Sequence, residues 1–141
     1  MIEDFENWEI ENGKIPRNSI VILKTGFGEY WPDRKKYMGT DERGLEAVAK
    51  LHFPGLHPDA AKWLVENRNI SSVGIESPSI DYGQSQLFET HIYLTKNEVP
   101  ILENVANLEN MPLKGFSIIA LPMKIKGGSG GPTRIVAILH Q

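Results

Sequence analysis

Residues 19–25 (SIVILKT) form the segment that most restricts the fold. The run is short, apolar and rich in β-branched side chains. It reads as a buried strand, ended by Gly26 and Gly28. A second run of this kind is residues 71–75 (SSVGI), and a brief third is residues 99–102. The two clearest strands are residues 115–126 (GFSIIALPMKIK) and 133–140 (TRIVAILH). The sequence Gly-Gly-Ser-Gly-Gly-Pro, residues 127–132, joins them as a hairpin or longer loop.

Helical segments lie between the strands. Ile2, Phe5, Trp8 and Ile10 fall near one face of an N-terminal helix, with Glu3 and Asp4 in its first turn. Gly13 and Pro16 stop it. Pro58 suits the first position of a helix over residues 58–67, whose inward stripe is Ala61, Leu64 and Val65. Residues 85–96 fit a helix capped by Ser85, with Leu87, His91 and Leu94 sharing an inward face. A strand with Phe88, Thr90, Ile92 and Leu94 alternating is the weaker fit. Residues 26–57, rich in Gly and Pro, read as irregular. Strands with helices interspersed make a mixed α/β domain.

The chain has 141 residues, the size of one domain. Its net charge of −3 and lack of a basic block argue against nucleic acid as a partner. The longest cationic run, Arg34-Lys35-Lys36, is flanked by Asp33 and Tyr37 and reads as a solvated turn. The chain has no cysteine, which excludes disulfides, thiolate metal sites and cysteine nucleophiles. No apolar stretch approaches the ~20 residues of a membrane helix. The acidic N-terminus is unlike a signal or transit peptide. A cytoplasmic protein is the expectation.

The glycine loop lacks the lysine and hydroxyl residue of a phosphate-binding loop and leads into a strand. No Gly-x-Ser-x-Gly elbow is present. His52, His57, His91 and His140 are too far apart for a local i, i+4 chelate. His91 is the histidine of interest. Glu103 lies twelve residues later, beyond the predicted helix and strand, which can bring the two together. An imidazole and a carboxylate suit zinc or manganese.

Several strings, taken in order, resemble the cyclase family of metal-dependent hydrolases, the kynurenine formamidase and isatin hydrolase group. They are SIVILKTG from Ser19, Tyr30-Trp31, His52-Phe53-Pro54-Gly55, Gly74-Ile75 with Ser79-Ile80-Asp81, Thr90-His91, Ile101-Leu102-Glu103-Asn104 with Ala106-Asn107-Leu108, and FSIIALPMKIKG from Phe116. The resemblance implies a swivelling β/β/α fold. It also implies hydrolysis of a formamide or cyclic amide in a small-molecule substrate. His91 and Glu103 match the family's two late metal ligands, for a divalent zinc or manganese ion. The catalytic residues stay unassigned.

The family's early motif, His-x-Gly-Thr-His-x-Asp-x-Pro-x-His, has no counterpart here, and His57 stands where the family has a serine. The expectation is therefore a single cyclase-like domain over residues 1–141 that lacks the N-terminal metal-motif segment. Such a chain is a truncated hydrolase, a split enzyme whose partner supplies the early ligands, or a non-catalytic paralogue. The paralogue would bind ligands or pair with itself as a homo-oligomer. Asp81, His52 and His57 are the further residues to examine as ligands.

Overall fold

In the computed structural model, which describes residues 1–140, the chain divides into two compact units. The first runs from Met1 to Asn110. Its centre is a three-stranded parallel sheet in the order β1 (Ile20–Leu23), β2 (Ser72–Ile75), β3 (Ile101–Leu102). Ile20 to Leu23 pair in step with Ser72 to Ile75, and Val73 and Gly74 pair with Ile101 and Leu102. The middle strand is wholly buried, as its apolar, β-branched sequence demands.

Helix α1 (Ile2–Asn12) lays Ile2, Phe5 and Trp8 against the core, while Ile10 is turned to solvent. An 11-residue helix covers the core with one stripe only, and Ile10 falls off it. Helix α3 (Pro58–Trp63) runs on into a wider π turn over Leu64–Arg68, closed by Asn69 in the left-handed region. Ala60, Ala61 and Leu64 are fully buried, beside Val73, Ile75, Ile80 and Leu94. His57 caps α3, its Nδ1 accepting the Asp59 amide at 3.2 Å.

Arg68 ties this helical arm to α1. Its Nε and Nη2 donate to the two Glu9 carboxylate oxygens at 2.5 and 2.6 Å, and its guanidinium lies 3.9 Å from the Trp63 ring centroid. The Arg68 hydrogen bond holds the Glu9 carboxyl below the usual carboxylate range. A depressed folded-state pKa gives stability that is present above the unfolded value of 4.5 and lost as pH falls through the folded value. Arg68→Gln is therefore expected to flatten the stability profile below pH ~4.5, where wild type declines. Urea midpoints measured from pH 3 to 7 check this. An unchanged acid limb in the variant would exclude the pair as its source.

Residues 26–57 contain more regular structure than their composition suggests. A 3₁₀ turn spans Phe27–Tyr30, helix α2 spans Arg34–Met38, and another 3₁₀ turn spans Leu45–Lys50. The cationic run predicted as a solvated turn is the first turn of α2. Asp33 caps it by accepting the Lys36 amide at 3.2 Å. Burial of Tyr37 anchors this short helix, a tertiary effect that the glycines around it hide.

Helix α4 (Glu89–Lys96) is shorter than predicted. Ser85 does not cap it, but accepts the Phe88 amide one turn earlier. Phe88 occupies the cap position with φ +49°, and Leu87 is 69% exposed rather than inward. Leu94 is fully buried, as expected. A carboxylate from elsewhere in the chain does the work predicted for Ser85.

The second unit, from Met111 onward, is an antiparallel hairpin of β4 (Phe116–Pro122) and β5 (Thr133–Leu139). Its register runs from Phe116–Leu139 to Pro122–Thr133. β5 keeps close to its predicted range, whereas β4 stops at Pro122, short of the predicted end at residue 126, so residues 123–132, the glycine loop among them, connect the two strands. No helix among the described residues is long and apolar enough to cross a membrane.

Candidate functional site

Parallel strands direct all their C-terminal ends to one edge of a sheet, where α/β folds place their chemistry. Here that edge is polar. β1 leads to Thr25 and Gly26, β2 to Glu76, and β3 to Glu103 and Asn104. Glu76 is buried, and one carboxylate oxygen accepts the Gly26 amide at 2.7 Å and the Thr25 hydroxyl at 3.3 Å. Gly28 packs close by, where a Cβ would sit 3.1 Å from the other Glu76 oxygen. The carboxylate thus ties the end of β1 to the end of β2.

Tyr37, from α2, crosses beneath the same edge. Its hydroxyl contacts the main-chain carbonyl of Glu76 and lies 3.0 Å from Asn104 Oδ1. Burial, with Glu76 and Glu103 nearby, pushes the phenol up to about 12. Tyr37 is therefore a neutral, fixed strut between the segments that follow β2 and β3.

Glu103 and His91 meet beyond this strut. His91 Nε2 lies 3.2 Å from Glu103 Oε1, and the same oxygen accepts the Ile80 amide at 2.8 Å. Both side chains are about one-third exposed, at 33% and 30%. The opposite ring nitrogen, Nδ1, lies 2.5 Å from Asp81 Oδ2. Asp81 is buried and also accepts the amides of Thr90 (3.1 Å) and His91 (3.2 Å). Those are the unpaired amides at the start of α4, so Asp81 is the remote cap of that helix. Thr90 adds a hydroxyl bond to the Leu56 carbonyl at 2.7 Å.

Close backbone packing holds Asp81 in place. The amide of Leu56 donates to the Ile80 carbonyl at 2.7 Å, and that of Gly83 to the Phe53 carbonyl at 3.1 Å. The segments His52-Phe53-Pro54-Gly55 and Ser79-Ile80-Asp81, distant in sequence, are therefore neighbours.

Of the predicted site residues, the structure brings His91 and Glu103 together and adds Asp81. His52 is exposed, and His57 is engaged as a helix cap. Glu76 and Tyr37 were not foreseen. The available signal for Glu76 was a carboxylate directly after a buried strand, repeated by Leu102-Glu103.

The donor set suits a metal ion in part. An imidazole nitrogen and a carboxylate oxygen face each other, an arrangement that a shared cation stabilises. Their 3.2 Å separation would let both atoms serve as ligands to one ion. Among the described residues, no group of three or more His, Cys, Asp or Glu is placed to hold a metal. The pair fits as two ligands of a site and does not close one.

The chain is similar to known proteins over most of its length. Residues 1–82 match the family model described as "Putative cyclase". An isatin hydrolase of Roseibium aggregatum is 32% identical over 136 residues, which is 94% of this chain and 49% of that protein. A kynurenine formamidase of Bacillus cereus is 36% identical over 84 residues, 60% of this chain and 39% of that protein. Isatin hydrolase A from Ralstonia solanacearum superposes with a TM-score of 0.86 at 30% identity, covering 98% of this chain and 52% of that one. The chain spans about half the length of these isatin hydrolases.

Proposed function

This chain belongs to the cyclase family, and we propose that it contributes the late part of a metal-dependent amide-hydrolase site, with His91 and Glu103 as two of the metal ligands. The single observation that supports this most is the facing of His91 Nε2 and Glu103 Oε1 at 3.2 Å on the C-terminal edge of the sheet. The further ligands belong to the additional length seen in the relatives, on the same polypeptide or on a partner chain. The substrate class is a formamide or cyclic amide, as the names kynurenine formamidase and isatin hydrolase suggest.

A bound divalent ion would polarise the amide carbonyl and lower the pKa of an attacking water. The chain's own residues set up the rest. His91 and Glu103 hold fixed lone pairs toward one point. The Ile80 amide restrains Glu103, and Asp81 restrains His91. Glu76 and Tyr37 keep the strand ends that carry these groups in register. Water adds to the carbonyl carbon, the C–N bond breaks, and the leaving nitrogen takes up a proton.

The test has two arms. Calorimetric titration with Zn²⁺ or Mn²⁺ is expected to show weak binding that His91→Ala or Glu103→Gln lowers at least ~10-fold, since each removes one ligand. Metal binding unaffected by both substitutions would remove the ligand assignment. Assays with N-formylkynurenine and isatin are expected to show no turnover by this chain alone. Turnover by it that disappears in His91→Ala would overturn the partial-site reading.

A further inference from the structure

We infer that Asp81 is the positioning residue that fixes the His91 tautomer, leaving Nε2 as the unprotonated nitrogen that faces Glu103. The inference deepens the proposed site but rests on geometry that needs no metal. Three groups converge on the Asp81 carboxylate: the Thr90 amide at Oδ1, and the His91 amide and His91 Nδ1 at Oδ2. Both ring nitrogens face carboxylates, which only accept, and a neutral ring has one proton to give. The Asp81 contact at 2.5 Å is shorter and more buried than the Glu103 contact at 3.2 Å, so that proton lies on Nδ1. The neutral imidazole then carries its lone pair on Nε2.

The arrangement is tighter than a single hydrogen bond would be. His91 is held by Asp81 through both its backbone and its ring, so one chelate sets the side-chain torsions and the tautomer together. Asp81 is 4% exposed, and water does not compete for it. Thr90, its other partner, is fully buried and anchored to Leu56. The ring also meets Phe88 edge-on, with centroids 6.5 Å apart, which restricts rotation on its exposed side. Phe88 holds φ +49°, a conformation unusual for an aromatic residue. Histidines that bind metals characteristically give their other nitrogen to a carboxylate or carbonyl, which fixes the tautomer in this way.

Asp81→Asn is the informative substitution. The amide has one acceptor oxygen in place of two; with that oxygen on Thr90, its NH₂ faces both the ring and the His91 amide, which loses its acceptor, and the ring is driven to the reverse tautomer with the proton on Nε2. The experiment is nitrogen-15 NMR of the histidine rings in the metal-free chain, followed upward in pH until His91 is neutral. Wild type is expected to show a protonated Nδ1 and an unprotonated Nε2. Asp81→Asn is expected to invert that assignment and to lower zinc affinity ~10- to 100-fold. Thr90→Val, which loosens the same helix start without touching the ring, should leave the tautomer unchanged. A neutral wild-type ring protonated on Nε2 would overturn the inference even if Asp81→Asn fails to fold. So would an unchanged tautomer in a folded Asp81→Asn, or inversion in Thr90→Val. Failure of zinc to bind wild type would count against the ligand proposal and leave the tautomer result standing.

Discussion

Gly55→Ala is expected to destabilise the first unit by about 3 kcal/mol or more, the upper range for overpacking. A Cβ on Gly55 would lie 2.2 Å from the Tyr82 amide nitrogen, 2.4 Å from the Asp81 carbonyl carbon and 2.7 Å from the Ile80 oxygen. All three are backbone atoms, so no side-chain rotation relieves the overlap. The φ of Gly55 is not in the left-handed region, so the effect comes from close approach and not from backbone strain. Relief requires the two segments to part, which breaks the Leu56–Ile80 bond and moves Asp81 away from α4. At roughly 5 °C per kcal/mol for a unit of this size, the thermal midpoint should fall by ~15 °C. Differential scanning calorimetry checks the loss. Amide exchange of Thr90 and His91 checks the mechanism, because a moved Asp81 exposes both. A variant within 3 °C of wild type would mean the segments separate at little cost.

Gly55 also shows what the sequence could and could not convey. The motif His52-Phe53-Pro54-Gly55 contributed to the family resemblance, yet nothing local says that its glycine admits a second backbone. The strands were readable because β-branched runs leave a local signature, and α1 and α3 because their apolar spacing does. The closeness of His91 and Glu103 was readable from a helix followed by a strand. The start of α4 was not. Ser85 has the right chemistry for a cap and the right distance from the apolar stripe, but Asp81 reaches two amides at once and carries the stronger acceptor. Glu76 and Tyr37 were hidden for a related reason. Their partners lie 39 to 67 residues away in sequence, at Gly26, Glu76 and Asn104, and such pairings have no period. The absence of a basic block was readable from composition alone.

Tyr37→Phe is expected to cost about 2 kcal/mol and to remove an alkaline transition that wild type shows. The hydroxyl is buried, and its loss strands the Glu76 carbonyl at ~1–3 kcal/mol, while the exposed Asn104 side chain turns to water. The pH dependence follows from the phenol's displacement from 10 to about 12, caused first by burial and then by Glu76 and Glu103. In the unfolded chain the phenol ionises near its ordinary value, while in the folded chain it stays neutral. Its contribution is therefore complete below pH 10 and is lost as pH rises toward 12, by ~3 kcal/mol in total. Urea midpoints from pH 8 to 12 should fall steeply in wild type and less steeply in Tyr37→Phe. The subtraction is needed because Tyr93 is also raised, by partial burial and its bond to Glu66, and adds to the slope in both proteins. The variant carries a functional consequence as well. Tyr37 braces Asn104, the residue after Glu103, so the His91–Glu103 separation should become less defined and zinc affinity should drop together with stability. Parallel alkaline limbs in the two proteins would remove Tyr37 as the titrating group. A full loss of stability with unchanged zinc affinity would separate the strut from the site it underlies.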